Sequence, residues 1–331
     1  MTSLGIDLGT ANTVVCHPKR GILLDEPSVM VLRSGGARRG RLVGWGGEAH
    51  DLLGRTPAGM TAVRPLSDGV VVDLETARTY LRAVVRSSGG YTRRMARPRA
   101  VIGVPAGSTP LERRALLEAA EQAHVAQGRL LAEPIAGALG CGLDPLERRT
   151  HMVVDVGGGT SEVTAFCFGG IVAHRTSRTA GDEMTFAVYQ YLRQERGLVI
   201  GELVAEQLKI EASEQDAPSL VVQGQDAATG RPRMATVEVE EIAEAVRPVV
   251  ESVIVTLAAC LEDLPPQAVS DIHDEGIVAF GGGSRMRGFA KLLENAFGFA
   301  VRVADNPLTC VAEGAAAAFR RPGVLSAYAL G

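Results

Sequence analysis

Apolar residues along the chain fall into two rhythms. Short runs rich in β-branched residues and bounded by glycine predict strands, and segments whose apolar positions recur every three or four residues predict helices. In LGIDLGTANTVVC (4–16) an apolar strand ends in Asp7, a Gly-Thr-Ala-Asn turn follows, and a second strand returns. MVVDVGGGTSEVTAFCF (152–168) repeats that layout around Asp155, 148 residues further on. The echo predicts a duplicated α/β lobe presenting two hairpins from opposite sides. A third unit, EGIVAFGGGSRMRGFAKLLENAFG (275–298), runs strand, triple glycine, helix, with Phe289, Leu292, Leu293 and Phe297 at helical spacing.

The remaining segments fit α/β lobes. Residues 109–126 predict a helix with Thr109 as N-cap and Glu112 completing a capping box. Two helices are expected over 181–197 and 201–212, separated by a glycine turn. Residues 240–266 read as helical with a break at Pro248, because proline lacks a backbone donor and clashes with the preceding turn. Segment 222–234 reads as the loop of a surface hairpin between two short strands.

A length of 331 residues with 46% apolar content suffices for a substantial core and favours two lobes. A net charge of -4 and a pI near 5.9 speak against general attraction to nucleic acid, although 33–41 and 91–99 are locally basic. Cys16, Cys141, Cys167, Cys260 and Cys310 lie far apart without metal-ligand spacing and read as reduced core residues of a cytosolic protein. The six histidines are scattered, so no zinc site is expected. No apolar run approaches a membrane span, and a strand follows Met1 almost at once, so no signal peptide is expected.

Asp7 and Asp155 each end a strand beside a glycine turn, where two carboxylates facing across a cleft suit a hydrated magnesium ion. The N–H groups of Gly9, Thr10, Ala11 and Asn12, and of Gly157, Gly158, Gly159 and Thr160, would then cradle phosphates. Taken alone, either loop reads equally as an ordinary tight turn; the same layout twice favours phosphate. The chain contains no GxxxxGK[ST], GxGxxG or GxSxG pattern.

Five segments in order, GIDLGTANTVV, AEPIAGALGCGL, MVVDVGGGTSEVTAF, GIVAFGGGSRMRGFAKLL and CVAEGAAAAF, resemble the phosphate, connecting, phosphate, adenosine and connecting motifs of the actin, sugar kinase and DnaK-type chaperone superfamily. Within it, LLDEPSVMVL (23–32), LLGRTPAGMTAVRPLSDGVVVD (52–73), VIGVPAGSTPLERRA (101–115) and AGDEM (180–184) are similar to the MreB and Mbl bacterial actin homologues. The stretch from GRTP to RPLSDG is the most specific, since chaperones and kinases lack it. The resemblance implies an α/β, actin-like ATPase fold: two duplicated ribonuclease H-like lobes around a nucleotide cleft, each with a smaller subdomain. The first lobe would be 1–140 plus 310–331, with a subdomain at about 32–75; the second would be 141–309, with one at about 183–246.

The resemblance also implies ATP and Mg²⁺ as ligands, with Asp7 and Asp155 holding the metal through water. Glu133 matches the family's water-orienting glutamate, with Thr160 and Asp155 beside it; without the resemblance, Glu133 reads as a helix N-terminal charge. Gly281, Gly282 and Gly283 would pass close to adenosine, flanked by Asp182, Glu206 and Lys209; unaided, the last two read as a solvated i,i+3 pair. Small residues at Ala136, Gly137, Ala138, Gly140 and Gly142, and from Gly314 onward, would let two connecting helices cross closely as a hinge.

The implied function is a filament-forming cytoskeletal ATPase with slow hydrolysis, organising cell-wall synthesis and cell shape beneath the cytoplasmic membrane. Its partners would be further copies of itself, the wall-synthesis machinery and the membrane, with no nucleic acid. Some relatives reach the membrane through an N-terminal amphipathic helix; only residues 1–3 precede the first strand here, so the expected route is the loop 87–100, with Tyr91 and Met95 among Arg93, Arg94, Arg97 and Arg99. Ala132 stands where many relatives carry another glutamate, and segment 213–220 is short for the family. The alternatives are a nucleotide-binding scaffold without turnover, or a metabolite kinase of the same superfamily. A chaperone would need a further domain, yet only about 20 residues follow Ala312.

Overall fold

Two five-stranded sheets built to one plan carry the chain. They are seen in a computed structural model that describes residues 2–35, 38–67, 70–71, 73–89, 97–214 and 216–330. In the first sheet, Ser3–Leu8, Asn12–His17 and Gly21–Pro27 form an antiparallel meander. Arg99–Val104 pairs parallel to Ser3–Leu8, and Gln127–Ala132 parallel to Arg99–Val104. In the second, His151–Val156, Ser161–Cys167 and Gly170–Ser177 form the meander, and Ile277–Phe280 and Val301–Val303 extend it in parallel. Even the register repeats: Asp7 pairs with Val14, and Asp155 with Glu162. The duplication read from the echo is therefore present in both topology and pairing.

Two three-stranded antiparallel sheets accompany these. Met30–Gly35 lies between Arg38–Trp45 and Met60–Val63, and Ser219–Asp226 lies between Leu198–Val199 and Pro232–Glu238. The second corrects two expectations. Its hairpin strands run well into the segment read as a loop, because buried Leu220 and Val222 alternate with exposed Val221 and Gln223. Leu198–Val199 also adds a strand where only a glycine turn was expected between helices Gly181–Gln194 and Glu202–Glu214.

The capping box of helix Pro110–Gln122 is present: Glu112 N–H donates to Thr109 Oγ1 (3.3 Å) and Thr109 N–H to Glu112 Oε2 (2.7 Å). Pro248 does not break its helix, which runs unbroken as Val239–Glu262. An interior proline costs about 3 kcal/mol or more. The same helix buries Val246, Val249, Val250, Val253, Leu257 and Cys260 in the second core, and each large aliphatic side chain returns about 1.5–3 kcal/mol. Packing wins.

A separate apolar cluster joins the sheets, with Val101 and Leu131 from one, Val153 and Phe280 from the other, and helices Glu133–Gly140 and Cys310–Ala317 between them. The helices touch backbone to backbone. A β-carbon at Gly314 would stand 1.7 Å from the Ala136 carbonyl oxygen, and one at Gly140 would stand 2.0 Å from that of Cys310. Gly140 and Gly314 are glycine because nothing larger fits between the backbones, and a β-carbon at Gly137 would stand 2.2 Å from the Phe280 ring; Gly142 instead meets nothing within 4 Å and needs glycine for its φ of +82°.

All five cysteines are free thiols; Cys16, Cys260 and Cys310 are buried. Tyr91, Arg93, Arg94 and Met95 lie outside the described residues. Among the described residues, no helix is long and apolar enough to cross a membrane.

Candidate active site

A single cleft between the two sheets is lined by Asp7, Gly9, Thr10, Ala11, Asn12, Glu133, Asp155, Gly157, Gly158, Gly159, Thr160, Asp182, Glu206, Lys209, Gly281, Gly282 and Gly283. Every site residue picked out from the sequence is thus brought to one place. The first glycine turn is held from behind. Ser28 donates its N–H to the Ala11 carbonyl (2.8 Å) and its hydroxyl to the Gly9 carbonyl (2.6 Å). Ser28 Oγ also lies 2.8 Å from Thr13 Oγ1, which accepts from the Tyr80 hydroxyl at 2.9 Å, and all three side chains are buried. Loop carbonyls are thereby turned inward, away from an anion in the cleft.

The second turn closes on itself through Gly157 N–H to Thr160 carbonyl, at 2.9 Å. Its Gly157 and Gly158 carbonyls accept from the Gly181 and Asp182 amides (3.0 and 2.8 Å), which open helix Gly181–Gln194. The positive end of that helix is docked on the loop. The two turns face each other so closely that a β-carbon at Gly158 would stand 2.9 Å from Ala11 Cβ.

At the third triplet, packing accounts for two of the glycines. A β-carbon at Gly281 (φ +80°) would stand 2.4 Å from the Val156 carbonyl oxygen and 2.5 Å from Asp155 Oδ1; one at Gly283 would stand 2.3 Å from Val156 Cγ1. A β-carbon at Gly282 would meet only Leu308 Cδ2, at an ordinary contact distance of 3.4 Å.

Carboxylates dominate the floor. Burial, and then the nearby Asp25, push Asp7 up to about 7. Burial raises Glu133 well above its usual range, reinforced by Asp7, Glu162 and Asp155; Asp155 is raised by burial and then by Glu162 and Asp7. Asp7 and Glu133 keep one face open to the cleft and are otherwise enclosed by protein. Among the described residues, neither these two nor Asp155 forms an ion pair with a lysine or arginine.

Glu162 is the residue the sequence reading missed. It is 1% exposed, and burial raises it to about 7. Its Oε2 accepts from Ala106 N–H at 3.2 Å and its Oε1 from the Thr176 hydroxyl at 3.0 Å, with His174 Nε2 3.6 Å away. The signal was in the echo: 148 residues earlier the same strand position is Val14, and a carboxylate in place of a buried valine needs a reason.

Glu206 and Lys209 are not a solvated pair. Lys209 Nζ lies 2.6 Å from Glu206 and also donates to the Gly181 carbonyl and Thr185 Oγ1, both at 3.0 Å. It ties helix Glu202–Glu214 to the start of helix Gly181–Gln194. Arg64, from the other side of the cleft, reaches Glu202 (2.7 Å) and Asp182 (3.7 Å). Met184, Ile210, Met286 and Leu308 add an apolar wall that periodicity alone reads as core.

Residues 1–325 match the MreB/Mbl protein family. The cell shape-determining protein MreB of Escherichia coli (strain K12) is 38% identical over 316 residues, covering 94% of this chain and 91% of that protein. The crystal structure of MreB5 of Spiroplasma citri bound to ADP is similar at a TM-score of 0.90, with 28% identity and 98% of each chain covered. A MamK double helical filament is similar at a TM-score of 0.80, with 25% identity over 96% of this chain and 98% of that one. Its duplicated sheets, its facing glycine turns and a family match over nearly its whole length agree: the chain belongs to the MreB/Mbl family of actin-like cytoskeletal proteins.

Proposed function

We propose that this chain binds ATP with Mg²⁺ in the cleft, hydrolyses it slowly, and assembles into filaments beneath the cytoplasmic membrane that organise cell-wall synthesis and cell shape. One observation carries the reading: two facing glycine turns converge with Asp7, Glu133 and Asp155 in a single cleft. The similarity to ADP-bound MreB5 supports nucleotide binding, and that to the MamK filament supports self-association.

The acidic floor fits magnesium. Burial first, and then Asp25 for Asp7 and Glu162 and Asp7 for Asp155, raise the two carboxyls, so a cation beside them would relieve both. Asp7 and Asp155 both line the cleft beside the glycine turns, which suits an ion held by two carboxylates, water and phosphate. When bound, magnesium supplies positive charge to the phosphate oxygens. Gly9, Thr10, Ala11, Asn12, Gly157, Gly158, Gly159 and Thr160 then position the phosphates, and Asp182, Glu206, Lys209 and Gly281, Gly282 and Gly283 flank the nucleoside.

Glu133 orients the attacking water in line with the γ-phosphate and accepts its proton, with Thr160 fixing the water's position. Burial, and then Asp7, Glu162 and Asp155, disfavour the charged form of Glu133. In this reading the first lobe comprises 1–140 and 310–331 and the second 141–309, with subdomains at 32–75 and 183–246; each sheet plan supports one lobe. The loop from Tyr91 to Met95 is the proposed membrane contact.

The test is high-speed sedimentation with Mg-ATP, Mg-ADP or no nucleotide, following phosphate release in the same tubes. Pelleting with ATP, and loss of phosphate release in Glu133→Ala, is expected. A protein that never pellets, with or without liposomes, overturns filament formation and favours a scaffold or a metabolite kinase.

A further inference from the structure

Cys141 and Cys310 are 169 positions apart in sequence and meet at the helix crossing. Cys141 ends helix Glu133–Gly140 as its C-cap, and Cys310 opens helix Cys310–Ala317. The backbones touch at this point: a β-carbon on Gly140 would stand 2.9 Å from the Cys310 Cα. Both side chains pack in the cluster that joins the sheets, and each thiol is the first influence on the other's ionisation. Cys310 is buried, with its sulfur 3.7 Å from the Pro307 carbonyl, whereas Cys141 is partly open to solvent.

We propose that Cys141 and Cys310 form a redox-active dithiol, and that its oxidation to a disulfide staples the two crossing helices and blocks rotation of one sheet against the other.

The chemistry of the pair is asymmetric in the way this needs. The neighbouring Cys310 thiol, with Arg302 at longer range, holds Cys141 below the usual thiol value, while Cys141 and burial push Cys310 up. Cys141, partly open to solvent, is then the thiol that ionises more readily, and buried Cys310 the one that stays protonated. With hydrogen peroxide as oxidant, the Cys141 thiolate attacks one peroxide oxygen, the O–O bond breaks and hydroxide leaves, giving a sulfenic acid. Cys310 sulfur, losing its proton, attacks the Cys141 sulfur, and the S–O bond breaks. In sum, two thiols lose two electrons and two protons, and one peroxide becomes two waters. A thiol reductant reverses the step by exchange. Among the described residues Cys16, Cys167 and Cys260 have no thiol neighbour of this kind.

The consequence for assembly rests on the nucleotide reading above; formation of the bond does not. The full-length protein is treated with hydrogen peroxide, free thiols are alkylated, and tryptic peptides are mapped without reduction. A link between peptides 130–148 and 303–320, with two of the five thiols lost, is expected. Five free thiols, or a link to another cysteine, overturns the proposal. In sedimentation, the linked protein is expected to lose ATP-dependent pelleting by about fivefold, restored by dithiothreitol and insensitive to peroxide in Cys141→Ser. Unchanged pelleting of the linked protein overturns the staple. Should the reduced protein not pellet either, the nucleotide reading fails alone, and hydrogen exchange over 133–140 and 310–317 decides: slower exchange on linking is expected, and no change overturns the proposal.

Discussion

The Glu162 carboxylate, on one five-stranded sheet, accepts a hydrogen bond at 3.2 Å from the backbone N–H of Ala106, which follows a strand of the other sheet. A side chain from one half of the molecule thus satisfies the main chain of the other, beside Glu133. Glu162→Ala removes the acceptor of the half-buried Ala106 amide, at a cost of about 1 kcal/mol, while the exposed Thr176 hydroxyl keeps His174 Nε2 at 2.8 Å. Urea unfolding is expected to show that loss, with a smaller one for Glu162→Gln, which keeps an acceptor. Equal losses in the two variants would mean that the hydrogen bonds do not matter.

Stability is expected to fall as pH rises from about 4 to about 7. Asp7 and Glu162 have folded values near 7, above their ordinary 3.8 and 4.5. The folded protein therefore binds protons more tightly than the unfolded chain. That contribution is complete below the ordinary values and lost as pH passes through the raised ones. For Glu162 the loss is on the order of 3 kcal/mol. Thermal unfolding in EDTA across this window measures it; Asp7→Asn should flatten the slope, and Mg-ADP should flatten it as well.

Arg64 spans the mouth of the cleft to Glu202 and Asp182. Glu202 is largely exposed and Arg64 partly so, which leaves the pair screened by solvent, and Arg64→Ala should change unfolding stability by no more than about 1 kcal/mol. Its effect should appear in kinetics instead, as severalfold faster release of a fluorescent ADP analogue in stopped flow. Arg64→Glu should release faster still, and Glu202→Arg should restore retention in that background.

Two glycine substitutions separate packing from composition. Gly314→Ala drives a methyl onto the Ala136 carbonyl at 1.7 Å, where backbone has to move, and should cost about 3 kcal/mol or prevent folding. A β-carbon at Gly201 meets nothing within 4 Å, so Gly201→Ala should be near neutral. Soluble yield and melting temperature of the pair distinguish the two outcomes.

What could be read from the sequence was local, or repeated. The Thr109–Glu112 box spans three residues, and the two Asp-glycine turns announced themselves by recurring. Pro248 was misread because propensity is a local quantity, whereas the valine stripe that overrides it is a tertiary one. Arg64 and Glu202, or Cys141 and Cys310, meet only through the fold, and no spacing in the chain signals their contact. Glu162 lay between these cases, visible only against Val14, its counterpart in the other half.

At the crossing of helices Glu133–Gly140 and Cys310–Ala317, main chain rests on main chain with no side-chain cushion. Interleaved side chains would let two helices slide by small repacking steps; a bare contact at Gly140 and Gly314 leaves tilting about a point as the easy motion. In any such tilt the crossing would be the fulcrum. Glu133 sits at the start of one of these helices, so a rotation about the crossing would carry it less far than the three-stranded sheets.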